Sequence, residues 1–139
     1  GRYGTVGALR GPLIPRCYAS AMADPSAMQR DYQPYAAICT WPRRGARSQV
    51  HFRVSRKLAA NGSISLRIGE RRIALTGGGG DAWPGNDGDN AAIIAAMRSA
   101  KSMTVSARDA RGRPFSNTWT LAGAASAMDA ALIGCSKLR

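Results

Sequence analysis

The chain has 139 residues, and hydrophobic residues make up 45% of it, which is enough for one domain with a single core. Twenty basic residues against eight acidic ones give a net charge of +12, and seventeen of the basic residues are arginines. No apolar run approaches the ~20 residues of a membrane-spanning helix, and no charged-then-apolar signal peptide opens the sequence. We therefore expect one domain over residues 1–139, either cytosolic or exported with its signal peptide removed, and we expect anionic partners.

The first third of the chain predicts short strands separated by proline-containing loops. A weak strand over 3–9 precedes two prolines, another strand begins at Cys17, and an irregular loop covers 23–34. A strand over 35–41 follows and ends at a proline and the basic turn RRGARS. Such short strands between breaks are typical of β proteins.

The middle of the chain has the clearest strand pattern. Apolar and polar residues alternate over 49–56 and again over 63–68, which predicts half-buried strands. A third strand is predicted over 72–75. This spacing favours a meander in a sandwich or barrel. The glycine-rich stretch TGGGGDAWPGNDGD that follows is predicted to be a loop.

The last third predicts a helix, two strands and a second helix. Asp89 or Asn90 is expected to cap a helix over NAAIIAAMRSA. Three apolar residues of this helix are expected to face inward: Ile93, Ile94 and Met97. Strands are predicted over 102–107 and 115–122, and the stretch TLAGAASAMDAALIGC then places its apolar residues on one face of a helix. The order predicts a mainly β, antiparallel fold with two helices packed on an edge or end.

Motifs for catalysis or metal binding are weak. No serine lies in a G-x-S-x-G elbow, and the four consecutive glycines lack the Lys and Ser/Thr of a Walker loop. His51 lies on the polar side of a strand, where an ordinary surface role is favoured, although a Cys–His dyad could still form in space. One histidine and three cysteines lack the spacing of a zinc site. We expect no enzyme activity, no cofactor and no metal.

Arginines cluster in the turns and on the polar faces of the middle strands. Guanidinium groups bind phosphates and carboxylates bidentately. If strands 49–56 and 63–68 are neighbours, their arginines form a sheet-wide patch for an anionic partner. The number of arginines is explained equally well by a genome that uses arginine wherever a soluble charged residue is needed, without any binding role. The predicted patch has seven members: Arg43, Arg44, Arg47, Arg53, Arg67, Arg71 and Arg72. A nucleic-acid partner is the less favoured hypothesis, because three tryptophans are expected to pack near turns rather than stack on bases: Trp41, Trp83 and Trp119.

The second half of the chain carries a family resemblance. An AW loop leads to a short helix ending in a methionine and a basic residue, then to two strands and an alanine-bearing helix that ends in a cysteine. Together with the opening CYAS block, this order resembles the invasion-associated locus B family of exported alphaproteobacterial proteins, from about Tyr3 to Cys135. The resemblance implies an immunoglobulin-like β-sandwich with one short helix before the last strands and a C-terminal helix. It also implies a removed signal peptide and a periplasmic or cell-envelope location.

The pairing of the cysteines bears on the compartment. Three cysteines allow one disulfide with one thiol left over, as in an exported protein, or three buried thiols, as in a cytosolic one. Cys17 begins a strand and Cys135 ends the final helix, and the resemblance places cysteines at both positions. We therefore expect a Cys17–Cys135 disulfide and a buried, unpaired Cys39.

These observations lead to a functional hypothesis. The chain is expected to be a non-enzymatic binding or assembly module of the periplasm or cell envelope. Its Arg-rich face would contact a cell-envelope protein assembly or an anionic envelope component. Lipid head groups are among these components, so peripheral membrane contact without a transmembrane span is one version of the hypothesis. A small basic nucleic-acid-binding protein is the alternative.

Overall fold

A computed structural model describes residues 16–40 and 48–122. Within these ranges the chain forms eight strands and one helix, and all eight strands belong to one antiparallel sheet. The elements in chain order are β1 (Arg16–Met22), β2 (Tyr35–Thr40), β3 (Ser48–Arg53), β4 (Ile64–Ile68), β5 (Arg71–Gly78), β6 (Asp81–Pro84), α1 (Asp87–Met97), β7 (Ser102–Arg108) and β8 (Pro114–Thr120). The mainly β, antiparallel prediction is confirmed. The predicted strand over 3–9 and the predicted C-terminal helix lie outside the described residues.

The spatial order of the strands is β1-β2-β3-β6-β5-β4-β7-β8. The hairpin of β5 and β6 is therefore inserted between β3 and β4. The sheet curls until its end strands meet: the indole N–H of Trp119 on β8 donates to the carbonyl of Ala21 on β1 at 3.1 Å. Just beyond β1, the N–H of Asp24 donates to the carbonyl of Thr118 at 2.8 Å. The result is one nearly closed sheet around the core.

The core consists of the inward-facing residues of the sheet and one side of α1. The alternation predicted for the middle strands is confirmed, because Val50, Phe52 and Leu66 are fully buried. The rings of Phe52 and Trp119 pack with centroids 5.5 Å apart. Among the described residues, no helix has the length and apolarity that crossing a membrane requires.

The helix α1 begins earlier than the sequence predicts. Asn86 is its N-cap, and its side-chain oxygen accepts the N–H of Asp89 at 2.8 Å. Asn90 binds β3 instead of capping the helix: its side-chain amide donates to the carbonyl of Ser48 at 2.7 Å and its oxygen accepts the N–H of Val50 at 2.9 Å. Because β6 pairs only with the far end of β3, Asn90 takes the place of a neighbouring strand there.

The glycine-rich stretch forms a hairpin rather than the predicted loop. β5 runs to Gly78 and pairs with β6 from Asp81 onward, which leaves Gly79 and Gly80 as a two-residue turn. Gly79 has a φ of +61°, a conformation that glycine adopts without strain. Gly77 allows the two strands to approach closely, because a Cβ at this position would overlap the carbonyl oxygen of Asp81.

The disulfide joins Cys17 on β1 to Cys39 on β2, which lie directly opposite each other in the strand register. The predicted Cys17–Cys135 bond is wrong, because the sulfur of Cys17 is already bonded to Cys39. The prediction of an unpaired Cys39 is wrong for the same reason, although Cys39 is buried as expected. Cys135 lies outside the described residues. The pairing depends on the register of β1 with β2, which the spacing of cysteines along the chain does not reveal.

Candidate anion-binding face

The outward side of β5, β4, β7 and β8 carries positive charges and hydroxyl groups. The strand register aligns Arg72, Arg67, Thr104 and Thr118 in one row across these four strands. The hydroxyls of Thr104 and Thr118 lie 2.9 Å apart and share a hydrogen bond. We call this surface the cationic hydroxyl face and define it by nine residues: Ser65, Arg67, Arg72, Lys101, Ser102, Thr104, Ser106, Ser116 and Thr118.

A second row of hydroxyl groups runs beside the first. Ser65 on β4 lies opposite Ser106 on β7, which in turn lies opposite Ser116 on β8. Ser102 pairs in the same way with Thr120, whose hydroxyl donates to the Asp24 carboxylate at 3.0 Å. The alternation of these strands sends their apolar residues into the core, so the outward positions hold the hydroxyl side chains.

The positive charges of this face are close together and, among the described residues, form no ion pair. Arg67 and Arg72 lie directly opposite each other, where Cβ atoms are about 4.5–5.5 Å apart and like charges destabilise a sheet. Both arginines line a depression in the surface, and Lys101 and Glu70, the latter from the β4–β5 turn, line it too. Within the described ranges, none of these four residues forms an ion pair. The face therefore has a positive local charge that a bound anion would neutralise.

The patch predicted from the sequence is divided in the structure. β5 and β6 separate β3 from β4, so the expectation that strands 49–56 and 63–68 are neighbours is wrong. Arg53 consequently lies away from Arg67 on the sheet. Arg71 and Arg72 are consecutive residues of a strand and project to opposite sides of it, and only Arg72 lines the depression. Three further members of the predicted patch lie outside the described residues: Arg43, Arg44 and Arg47.

Arg53 is neutralised by neighbours on its own side of the sheet. Its Nε lies 3.1 Å from Oδ1 of Asp81, and its guanidinium carbon lies 5.2 Å from the centroid of the Tyr32 ring. The Nε–H does not point at the carboxylate oxygen, so the contact is an ion pair without a hydrogen bond. Arg53 is therefore engaged within the fold and does not contribute an unpaired charge.

His51 belongs to the same outer surface of β3. Its Nε2 lies 2.9 Å from Oδ1 of Asp81, and its ring makes an edge contact with Tyr35 at a centroid distance of 5.6 Å. A Cys–His dyad with Cys17 or Cys39 is excluded, because both sulfurs are in the disulfide. Among the described residues, no cluster of histidines, cysteines and carboxylates could hold a metal ion. The His51–Asp81 pair thus connects β3 to β6, which the sequence did not indicate because Asp81 was expected in a loop.

The basic turn between β7 and β8 is organised by the buried Asp109. Its Oδ1 accepts the backbone N–H groups of Arg111 and Arg113, each at 2.9 Å, and Nη2 of Arg56 lies 3.5 Å from its Oδ2. The Arg113 N–H is the main cause that lowers the pKa of Asp109; burial opposes it, and the Arg111 N–H and the Arg56 charge lower the pKa further. The ionised carboxylate of Asp109 stabilises the turn through these hydrogen bonds.

Two tryptophans have different environments. Trp119 is fully buried, as predicted. Trp83 is 37% exposed, because it lies on the outward side of β6 while Ala82 faces the core. The prediction that Trp83 packs into the structure is therefore wrong, and Trp41 lies outside the described residues.

No protein-family model, curated protein or solved structure matches this chain.

Proposed function

We propose that the protein is an exported, non-enzymatic binding module of the cell envelope that holds an anionic partner on the cationic hydroxyl face. The observation that carries this proposal is the pair of Arg67 and Arg72, directly opposite each other without an acidic partner among the described residues. Each guanidinium can bind a phosphate or carboxylate through two parallel hydrogen bonds. Lys101 adds a third cation to the same depression.

The disulfide supports the exported location. Disulfides persist in oxidising compartments such as the bacterial periplasm and are rare in the cytosol, and Cys17 and Cys39 form one here. Membership of the invasion-associated locus B family, with a removed signal peptide and a C-terminal helix, is part of this proposal. The immunoglobulin-like sandwich of that family would divide the strands between two sheets and also remains a prediction.

Nucleic acid receives less support as a partner. Proteins that bind single strands combine basic residues with aromatic side chains on which bases stack. None of the nine residues that define the cationic hydroxyl face is aromatic. The expected partner is therefore an anionic component of the envelope or an acidic surface of an envelope protein assembly.

A charge-matched pair of variants tests the proposal. Arg67→Gln/Arg72→Gln removes two charges from the face, and Arg111→Gln/Arg113→Gln removes two exposed charges from the β7–β8 turn, which is not part of the face. We expect the first variant to bind labelled polyphosphate and oligogalacturonate at least about tenfold more weakly, because a hydrogen bond to a charged group contributes about 1.5–3 kcal/mol. The control variant should bind both probes like the wild type.

The dissociation constants are measured by fluorescence anisotropy, with melting temperatures to verify folding. An equal loss of affinity in the two variants would show that net charge alone attracts the probes, which contradicts a specific face. A clear preference for duplex DNA over both probes would instead favour the nucleic-acid alternative, and its salt dependence would report the number of phosphates contacted.

A further inference from the structure

We infer that the partner is an extended anionic polysaccharide, whose acidic groups meet Arg67 and Arg72 while its hydroxyl groups meet the serine and threonine rows. This inference rests on the proposed function and names the ligand class of the same face.

The hydroxyl rows extend well beyond the arginine pair. Six of the eight outward positions of β7 and β8 are hydroxyl residues: Ser102, Thr104, Ser106, Ser116, Thr118 and Thr120. The other two, Arg108 and Pro114, lie opposite each other where the strands enter their turn. The side chains of Ser102, Ser106 and Ser116 are exposed and, within the described part of the chain, make no hydrogen bond with another residue. Each hydroxyl both donates and accepts, as a sugar hydroxyl does, so the two surfaces are complementary.

The dimensions of the face favour an extended ligand over a single ion. Alternate side chains on one strand are about 6.8 Å apart, and neighbouring strands are about 4.8 Å apart. A single phosphate or carboxylate would occupy only the space between Arg67 and Arg72. The row of Ser65, Ser106 and Ser116 lies beyond that space. A chain of sugar units can contact both rows at once.

Other polyanions fit the chemistry of the face less well. The nine residues of the cationic hydroxyl face include no aromatic side chain on which nucleic-acid bases could stack. A lipid surface would find no large apolar side chain to insert, because the one apolar residue in these rows is Ala74. A polymer that carries both acidic groups and hydroxyls is complementary to the cations and to the serine and threonine rows.

The decisive variant removes hydroxyl groups and leaves every charge in place. Ser106→Ala/Ser116→Ala alters two exposed serines that face each other on β7 and β8, and Ser20→Ala/Ser99→Ala alters two exposed serines elsewhere. We expect the first variant to bind labelled oligogalacturonate about tenfold more weakly, because it loses two hydrogen bonds to the ligand. Its affinity for polyphosphate of matched charge should equal that of the wild type, and the control variant should retain both affinities.

Each alternative outcome separates this inference from the proposed function. Wild-type affinity of Ser106→Ala/Ser116→Ala for oligogalacturonate, together with a loss in Arg67→Gln/Arg72→Gln, would overturn the polysaccharide inference and leave anion binding intact. Unchanged affinity in both variants would overturn both. Tighter binding of the wild type to phosphatidylglycerol vesicles or duplex DNA than to oligogalacturonate would overturn the inference in favour of a lipid or nucleic acid.

Discussion

Acidic residues are scarce in this chain, and those near β3 and the turns neutralise particular arginines. Asp81 pairs with Arg53, while Asp31 and Asp109 both contact Arg56, at 3.3 and 3.5 Å. The two contacts of Arg56 connect the loop before β2 and the turn after β7 to the segment that follows β3. These three carboxylates therefore stabilise the fold, and the cations of the cationic hydroxyl face form no ion pair with another described residue.

Asp109 allows a prediction about pH. Its pKa lies below the usual value of about 3.9, because the Arg113 and Arg111 N–H groups and the Arg56 charge outweigh burial. The carboxylate therefore contributes stability that is complete above about pH 4 and is lost as the pH falls through its folded-state pKa. We expect Asp109→Asn, which keeps an acceptor oxygen but no charge, to lose less stability on acidification than the wild type.

The measurement is the difference in melting temperature between about pH 7 and pH 3. Asp24→Asn, at an exposed aspartate, serves as the control and should resemble the wild type. A difference in Asp109→Asn as large as in the wild type would show that Asp109 does not couple the turn to pH.

Among the elements, the strands with local patterns were predictable. The alternation of apolar and polar residues in β3 and β4 identifies their buried sides, because it can be recognised in the sequence of each strand alone. The buried side of α1 was also predicted from a local pattern, the spacing of its apolar residues, and Ile93 and Met97 are buried. Ile94 is only partly buried. The hairpin of β5 and β6 was missed because consecutive glycines have no side chains from which an alternation could be recognised.

The candidate site was predictable only in part. Arg67 and Arg72 were named from the sequence, but their direct opposition depends on the register of β4 with β5. The hydroxyl rows depend in addition on the pairing of β7 with both β4 and β8. Strand order and register are long-range properties, so a local pattern does not reveal which polar side chains become neighbours.

The hairpin allows a comparison of two adjacent glycines. A Cβ at Gly77 would overlap the backbone at Asp81, whereas a Cβ at Gly78 would meet nothing within 4 Å. We expect Gly77→Ala to lower the free energy of unfolding by about 1–3 kcal/mol, as overpacking does. Gly78→Ala should be neutral or slightly stabilising, because it restricts the unfolded chain. Urea denaturation checks both values, and equal stabilities of the two variants would contradict the close approach of β5 and β6.

For the molecule as a whole, closure of the sheet depends on its first strand. β1 meets β8 through the hydrogen bond from Trp119 to Ala21 and through the adjacent backbone bond from Asp24 to Thr118. The disulfide ties β1 to β2. It therefore holds the end strand of the sheet at the place where the sheet nearly closes.

Removal of the disulfide should weaken the whole fold. The two cysteines are 22 residues apart, and the chain-entropy model assigns a loop of that length about 3 kcal/mol. We expect Cys17→Ser/Cys39→Ser to lose about this much free energy of unfolding. Chemical denaturation measures the loss, and non-reducing peptide mapping identifies the bond. A peptide that links Cys17 to Cys135 would refute the pairing described here.

The central claim is that the ligand lies on the cationic hydroxyl face, and backbone NMR during titration with oligogalacturonate tests it most directly. The largest chemical-shift changes are expected in the amides of β4, β5 and β7, around Arg67, Arg72 and Thr104. The amides of β3 and β6 should change little, because Arg53 is already paired with Asp81. Changes concentrated on β3 and β6, or spread evenly over the basic surface, would contradict the claim.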